Sequence, residues 1–210
     1  MRVGRGGRIR TLMALAAATV GSAALAAPAS AGVLTKSATD CDAPVTSQPF
    51  ARFGDNAYYK LVPGGSFEKG TAGWTLSGGA KIVSGNEPYR VRSASDTHSL
   101  YLPAGSSAVS PTVCVGVGEP TLRYFTQRNS GLLSTLAVSV RVETSLGLVA
   151  EVPLAPDLGG GWHASLPTPV IANLLPLLPG DKTPVQFRFT PLLFGNWQLD
   201  DVYVDPWRMR

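Results

Sequence analysis

Residues 135–143 constrain the fold more than any other stretch of this chain. Leu136, Val138, Val140 and Val142 alternate with Ala137, Ser139, Arg141 and Glu143. That period of two puts an apolar row on one face of a strand and a polar row on the other. Val185-Gln186-Phe187-Arg188-Phe189 repeats the pattern. Shorter segments of the same kind precede them at 58–62, 74–76, 81–83, 99–102, 112–117 and 121–127, separated by Gly, Pro, Ser or Asn. Residues 148–152 are placed to pair with 135–143 through a turn at 145–147. Many short strands at close spacing, among 23 Gly and 17 Pro, predict an all-β antiparallel sandwich or barrel.

The N-terminus is of another kind. Arg2, Arg5, Arg8 and Arg10 stand there without an acid, an apolar run follows over 12–27, and Ala29-Ser30-Ala31 closes it. Basic, apolar and small-x-small regions in that order describe a secretory signal peptide, residues 1–31, cleaved after Ala31. The run is broken by Gly21 and Ser22 and is marginal against the roughly 20 apolar residues of a membrane span. Of 18 Lys and Arg, the four in this segment leave 14 to face 14 acids. The sequence pI near 9.3 therefore belongs to the leader peptide. A secreted, neutral domain is expected, with no nucleic-acid partner and no membrane after signal cleavage.

Cys41 and Cys114 are an even number of cysteines in an exported chain, where one intramolecular disulfide is the single possible pairing. It would tie a polar leader, residues 32–56, to a domain at 57–210. Closing a loop of roughly 70 residues would stabilise the fold by about 4 kcal/mol. In 167–179, Val170, Ile171, Leu174, Leu175, Leu177 and Leu178 are punctuated by four prolines. Each proline lacks a backbone donor, so a central strand is not expected. A short helical turn at 172–175, a loop capping the core and an exposed patch for a partner all stay open.

The last strand candidate, Gly195-Asn196-Trp197-Gln198-Leu199-Asp200-Asp201-Val202-Tyr203-Val204-Asp205-Pro206, carries two adjacent acids, although Asp is depleted in pleated, half-buried surfaces. Far upstream stands Leu61-Val62-Pro63-Gly64-Gly65-Ser66-Phe67-Glu68-Lys69-Gly70, followed by Trp74. This opening, closed by Leu-Asp-Asp-Val-Tyr-Val, resembles the galactose-binding-like jelly rolls, which include many secreted carbohydrate-binding modules. The two motifs bracket residues 61–206. The resemblance implies an antiparallel jelly-roll β-sandwich, no enzymatic activity, and modest binding of a carbohydrate or cell-wall glycan. It also implies a structural calcium held by Glu68 and by Asp200 or Asp201. Adjacent side chains leave a strand on opposite faces, so one aspartate alone would meet the ion. The carbonyls that a hard cation also needs could turn inward at Gly64, Gly65 and Gly70. The alternative is that Glu68 caps a turn and both aspartates are solvated.

Sugar recognition uses aromatic faces for the C–H patch of a pyranose and polar side chains for its hydroxyls. Trp74 and Trp197 read as core. Trp162 follows Gly159-Gly160-Gly161 in a loop and is the expected exposed platform. Arg123, Tyr124 and Gln127 on one strand, with Tyr89 and Arg90 in a loop, complete the expected contacts. Hydrolysis is the weakest reading. There is no Gly-x-Ser-x-Gly elbow, although Asp96, His98 and a serine could still meet in a cleft. Adjacent Asp200 and Asp201 on opposite faces cannot form a glycosidase pair. An extracellular interaction scaffold without a sugar site is the main rival to glycan binding. The sequence names no oligomeric state.

Overall fold

The computed structural model describes residues 45–71, 73–116, 121–143, 148–170 and 182–205. The signal segment, Cys41, the turn at 145–147, the leucine-proline stretch from 171 to 179 and Trp207 lie outside the described residues. Within them the chain forms β1 (Thr46–Ser47), β2 (Tyr59–Leu61), β3 (Thr75–Ser77), β4 (Lys81–Ser84), β5 (His98–Leu102), β6 (Ser107–Val109) and β7 (Val113–Gly116). It continues with β8 (Thr121–Arg128), β9 (Leu136–Glu143), β10 (Val149–Pro153), β11 (His163–Ala164), β12 (Thr168–Pro169), β13 (Lys182–Pro191) and β14 (Trp197–Val204). A single 3-10 turn, Ala51–Phe53, precedes β2.

Two antiparallel sheets result. The first runs β1-β2-β14-β5-β4, with β8 on the other side of β14 and the short β11 and β12 paired to β8. The second runs β10-β9-β13-β6-β3, with β7 also paired to β13. The alternation read from the sequence becomes the interface between them. Leu136, Val138, Val140 and Val142 on β9, and Val185, Phe187 and Phe189 on β13, meet Leu100, Leu102, Tyr124, Trp197 and Leu199 of the first sheet. Trp74 and Trp197 are both core, as expected. The fold is an all-β antiparallel sandwich.

Four strands escaped the sequence reading: β1, β6, β11 and β12. Three are two residues long and β6 is Ser-Ala-Val, too short to show a period. A second cluster was also unread. Phe50, Tyr59, Phe125 and Tyr203 are packed on the outer face of the first sheet, with Tyr89, Val91 and Trp162 against them. Thus β8 and β14 are covered on both faces.

The opening and closing motifs meet directly. Tyr203 pairs with Leu61 and Val204 with Lys60, and the chain then turns so that Val62 N–H donates to Val202 O (2.8 Å) and Val202 N–H to Gly65 O (3.1 Å). Gly65 is required by that approach. A Cβ there would stand 2.9 Å from Val62 O and 3.0 Å from Val202 O, both backbone atoms that cannot rotate aside. Gly65→Ala is expected to destabilise the fold by about 1–3 kcal/mol through this overpacking. The measurement is denaturant unfolding, in which the midpoint should fall with the slope unchanged.

Candidate functional site

The paired aspartates lie where β14 loses its regular partner. On one side β14 pairs with β5 as far as Leu199 and resumes with β2 at Tyr203. On the other side the register with β8 slips between Asp200 and Tyr203, so β14 carries an extra residue there. Asp201 occupies that bulge with φ +46°, a conformation that non-glycine residues adopt mainly when Asn or Asp. The divergence expected of the two aspartates rests on a regular strand, and the strand is irregular there. The bulge breaks the period of two, and both carboxyls act on the same acidic neighbourhood beneath the loop from β4 to β5.

That neighbourhood is fully desolvated. Asp200, Asp201, Glu87 and Asp96 are all buried. Asp200 accepts from the backbone N–H groups of Glu87 (3.0 Å) and Asp201 (2.8 Å). Glu87 accepts from those of Tyr89 (2.5 Å) and Val91 (2.8 Å), and Asp96 is paired with Arg92. Asp201 is different: neither of its oxygens has a hydrogen-bond partner. Asp96 Oδ2 and Asn86 Oδ1 are also buried without one. Desolvation, then the charges of Glu87 and Asp96, push the Asp201 carboxyl well above the usual carboxylate range. Desolvation and Asp201 do the same to Asp200.

Glu68 is engaged elsewhere. Its Oε1 accepts from the N–H groups of Thr97 (2.8 Å) and His98 (2.7 Å), and Oε2 lies 3.1 Å from His98 Nδ1. Glu68 thus caps the start of β5, although its charge still reaches Asp201. Among the described residues no three side chains of His, Cys, Asp or Glu are gathered as a ready metal cage.

A second feature lies on the same outer face, over the Phe50 cluster. Trp162 is half-buried against that cluster rather than standing free. Its carbonyl accepts from the Tyr89 hydroxyl at 2.9 Å. Tyr89 meets Phe53 edge to face at 4.9 Å between centroids, and the Arg52 guanidinium sits 5.1 Å from the Tyr89 ring and 5.8 Å from that of Phe53. Phe53 is 37% exposed. Three distant loops thereby present an aromatic ridge with a guanidinium upon it. Arg52 and Phe53 were missed in the sequence because they sit in the polar leader, where the aromatics read as packing residues.

The other expected contacts divide. Gln127 shares the outer face and donates to Gln198 Oε1 (2.5 Å); Arg90 is exposed in the Tyr89 loop and donates to Ala94 O (3.1 Å). Tyr124 points into the intersheet core and is shut off from any ligand. Arg123 is buried as well, stacked 4.0 Å from the Phe50 ring, paired with Asp55 at 2.6 Å and donating twice to Ser165 O. Both follow from β8 being covered on two faces. Cys114 is buried on β7.

No family model and no curated protein matches the chain. Several solved structures do. TmCBM61 in complex with β-1,4-galactotriose is 16% identical, with 70% of this chain and 97% of that one covered and a TM-score of 0.43. The CBM22-1 xylan-binding domain of Xyn10C from Paenibacillus barcinonensis is 11% identical, covering 80% and 100%, with a TM-score of 0.46. A family 16 carbohydrate-binding module is 14% identical, covering 69% and 99%, with a TM-score of 0.43. The chain is similar to carbohydrate-binding modules. A likeness of this size transfers no ligand.

The buried acids make stability depend on pH in a defined sense. Asp200, Asp201 and Glu87 titrate above their unfolded values, so their contribution is fully present below the ordinary carboxylate range. It is lost as pH rises through the raised values. His163, raised by its hydrogen bond to Asp157, acts in the same direction. Asp55 and Glu68 are lowered and add no slope above about pH 5, where both states are ionised. In the presence of chelator the melting temperature should therefore fall between about pH 5 and pH 8. Asp201→Asn should flatten that fall and gain on the order of 1 kcal/mol at the upper end, whereas a structural requirement for the Asp201 charge would instead lower stability at both ends.

Proposed function

We propose that this chain is an exported, non-enzymatic protein that binds a glycan on the ridge of Phe53, Tyr89 and Trp162. The ridge itself carries the reading. Phe53 leaves ring surface to solvent, and Arg52, which lies over the Tyr89 and Phe53 rings and donates to Tyr89 O at 3.0 Å, keeps further donors for hydroxyls. A pyranose needs that combination, a face for its C–H patch and polar groups at the rim. His98 is shared by Glu68 and Thr97, and His163 by Asp157 and Gly161. Neither is joined to a serine among the described residues, so no hydrolytic role is assigned.

The affinity should be modest. One or two stacked rings and exchanged hydrogen bonds leave a surplus of about 4–8 kcal/mol, a Kd from micromolar to millimolar. β-1,4-Galactotriose and xylan, named with two of the similar modules, are the first probes. Phe53→Ala, which removes the outermost ring, should weaken binding about tenfold and lower the melting temperature less than Trp162→Ala does, because its ring also packs on Tyr89 and Phe125. Trp162→Ala should lose binding and stability together, because that ring also packs on the Phe50 cluster. A folded protein that takes up no polysaccharide in a titration calorimeter would hand the case to an interaction scaffold.

A structural calcium belongs to the same proposal, anchored on Asp201, one of the two expected aspartates, and without Glu68. Asp201 offers two buried oxygens without partners, and Asp96 Oδ2 and Asn86 Oδ1 are further orphaned oxygens. Glu68 is already spent on β5. Six to eight oxygens suit calcium, so carbonyls or water would complete the set. The ion would offset the acids' mutual repulsion. Added calcium should raise the melting temperature relative to chelator by mass action, more at higher pH, and Asp201→Asn should erase the difference. Equal melting curves in calcium and chelator at about pH 8 would remove the ion from the proposal.

A further inference from the structure

The outer face of the second sheet is unlike the ridge and independent of it. Its residues follow from the register. Glu151 on β10 lies opposite Arg141 on β9, which lies opposite Gln186 on β13; Ser139 on β9 lies opposite Arg188 on β13. Among the described residues this face carries no aromatic ring, so a neutral sugar would find no stacking surface there. It carries instead two guanidinium groups around one carboxylate. Glu151 Oε2 stands 3.7 Å from Arg141 Nε and 3.4 Å from Arg188 Nη1, while its Oε1 is taken by Ser139 Oγ at 2.5 Å.

The guanidinium groups are under-satisfied. Both Nε atoms, of Arg141 and of Arg188, are buried and have no hydrogen-bond partner. Arg141 Nη1 donates to Gln186 Oε1 at 3.2 Å. A guanidinium presents five donors in a rigid fork that suits a carboxylate, and here one carboxylate is stretched between two forks. The two guanidinium groups keep donors that Glu151 does not take. The side chains remain reachable, at 25% exposure for Arg141, 39% for Arg188 and 36% for Glu151.

We propose that this face binds a carboxylate-bearing glycan, a chain containing uronic acid units, with Arg141 and Arg188 contacting the acid. Glu151 is the internal carboxylate with which the ligand competes. An extended polysaccharide suits a sheet face, and the internal partner shows the anion geometry that the two arginines accommodate. A nucleic acid is not favoured. Two arginines make no phosphate-tracking array, and the chain outside its first ten residues has as many acids as bases.

The test is affinity electrophoresis and calorimetry of the purified protein against polygalacturonate and its methyl ester. Binding to the acid, weakened by salt and absent for the ester, is expected. Arg141→Gln and Arg188→Gln should each weaken it about tenfold or more with melting temperature retained. Glu151→Gln should strengthen it, which a purely structural Glu151 would not do. Phe53→Ala should leave it unchanged, so this site can fail while the ridge stands, and the reverse. Equal binding of acid and ester, indifference to both arginine substitutions in folded protein, weaker binding by Glu151→Gln, or equal displacement by single-stranded DNA would each overturn the proposal.

Discussion

The desolvation of two carboxylates in a central β-strand is the constraint on which the rest of the structure turns. Asp200 and Asp201 lie in β14, the strand that joins β2 and β5 on one side to β8 on the other. Burying an ion there costs several kcal/mol unless hydrogen bonds or opposite charge compensate. The loop between β4 and β5 answers for Asp200, turning the Glu87 N–H toward it. Glu87 in turn orders the same loop through the N–H groups of Tyr89 and Val91. Asp201 has no hydrogen-bond partner, and the Arg92 charge offsets its neighbouring acids only in part. A core designed for stability alone would not keep that group.

The same loop links the buried acids to the surface. Glu87 holds the backbone of Tyr89, and Tyr89 holds the carbonyl of Trp162 and the ring of Phe53. Whatever settles the charge beneath the loop therefore also fixes the aromatic ridge above it. The leader completes the arrangement from Val45 onward. Phe50 is buried between Tyr59, Phe125 and Tyr203, and Arg123 braces it by stacking and by its pair with Asp55. An arginine so fully used is a structural brace, and it holds the ridge in place without touching a ligand.

The two outer faces of the sandwich differ in chemistry because they are covered differently. The first sheet is overlaid by the leader and the β4–β5 loop, which carry aromatics onto it. The face of the second sheet is set by the outward members of β9, β10 and β13, among them Ser139, Arg141, Glu151, Gln186 and Arg188. One face thus offers ring surface and the other offers charge. A sheet can present both because successive side chains of each strand point to opposite sides.

The sequence by itself determined the class of the fold and the identity of its core. The alternation over 136–142 and 185–189 survives intact as the intersheet packing, since a side-chain period of two leaves a buried face little freedom. The opening and closing motifs were legible as partners, and they do pair, at Leu61 and Tyr203. What failed were inferences that extended the regular period through irregular backbone. Asp200 and Asp201 were read on a regular period, whereas the bulge between them and Tyr203 is set by pairing with β8 and β5 and leaves no mark in a single strand's residue pattern. Tyr124 and Arg123 were expected at the surface. Whether a strand is covered on its second face depends on a leader and loops distant in sequence. Phe53, Tyr89 and Trp162, or Arg141, Arg188 and Glu151, become neighbours only when strands from separate parts of the chain align. Tertiary structure alone decided those juxtapositions, because register and loop packing, rather than local propensity, set which side chains meet.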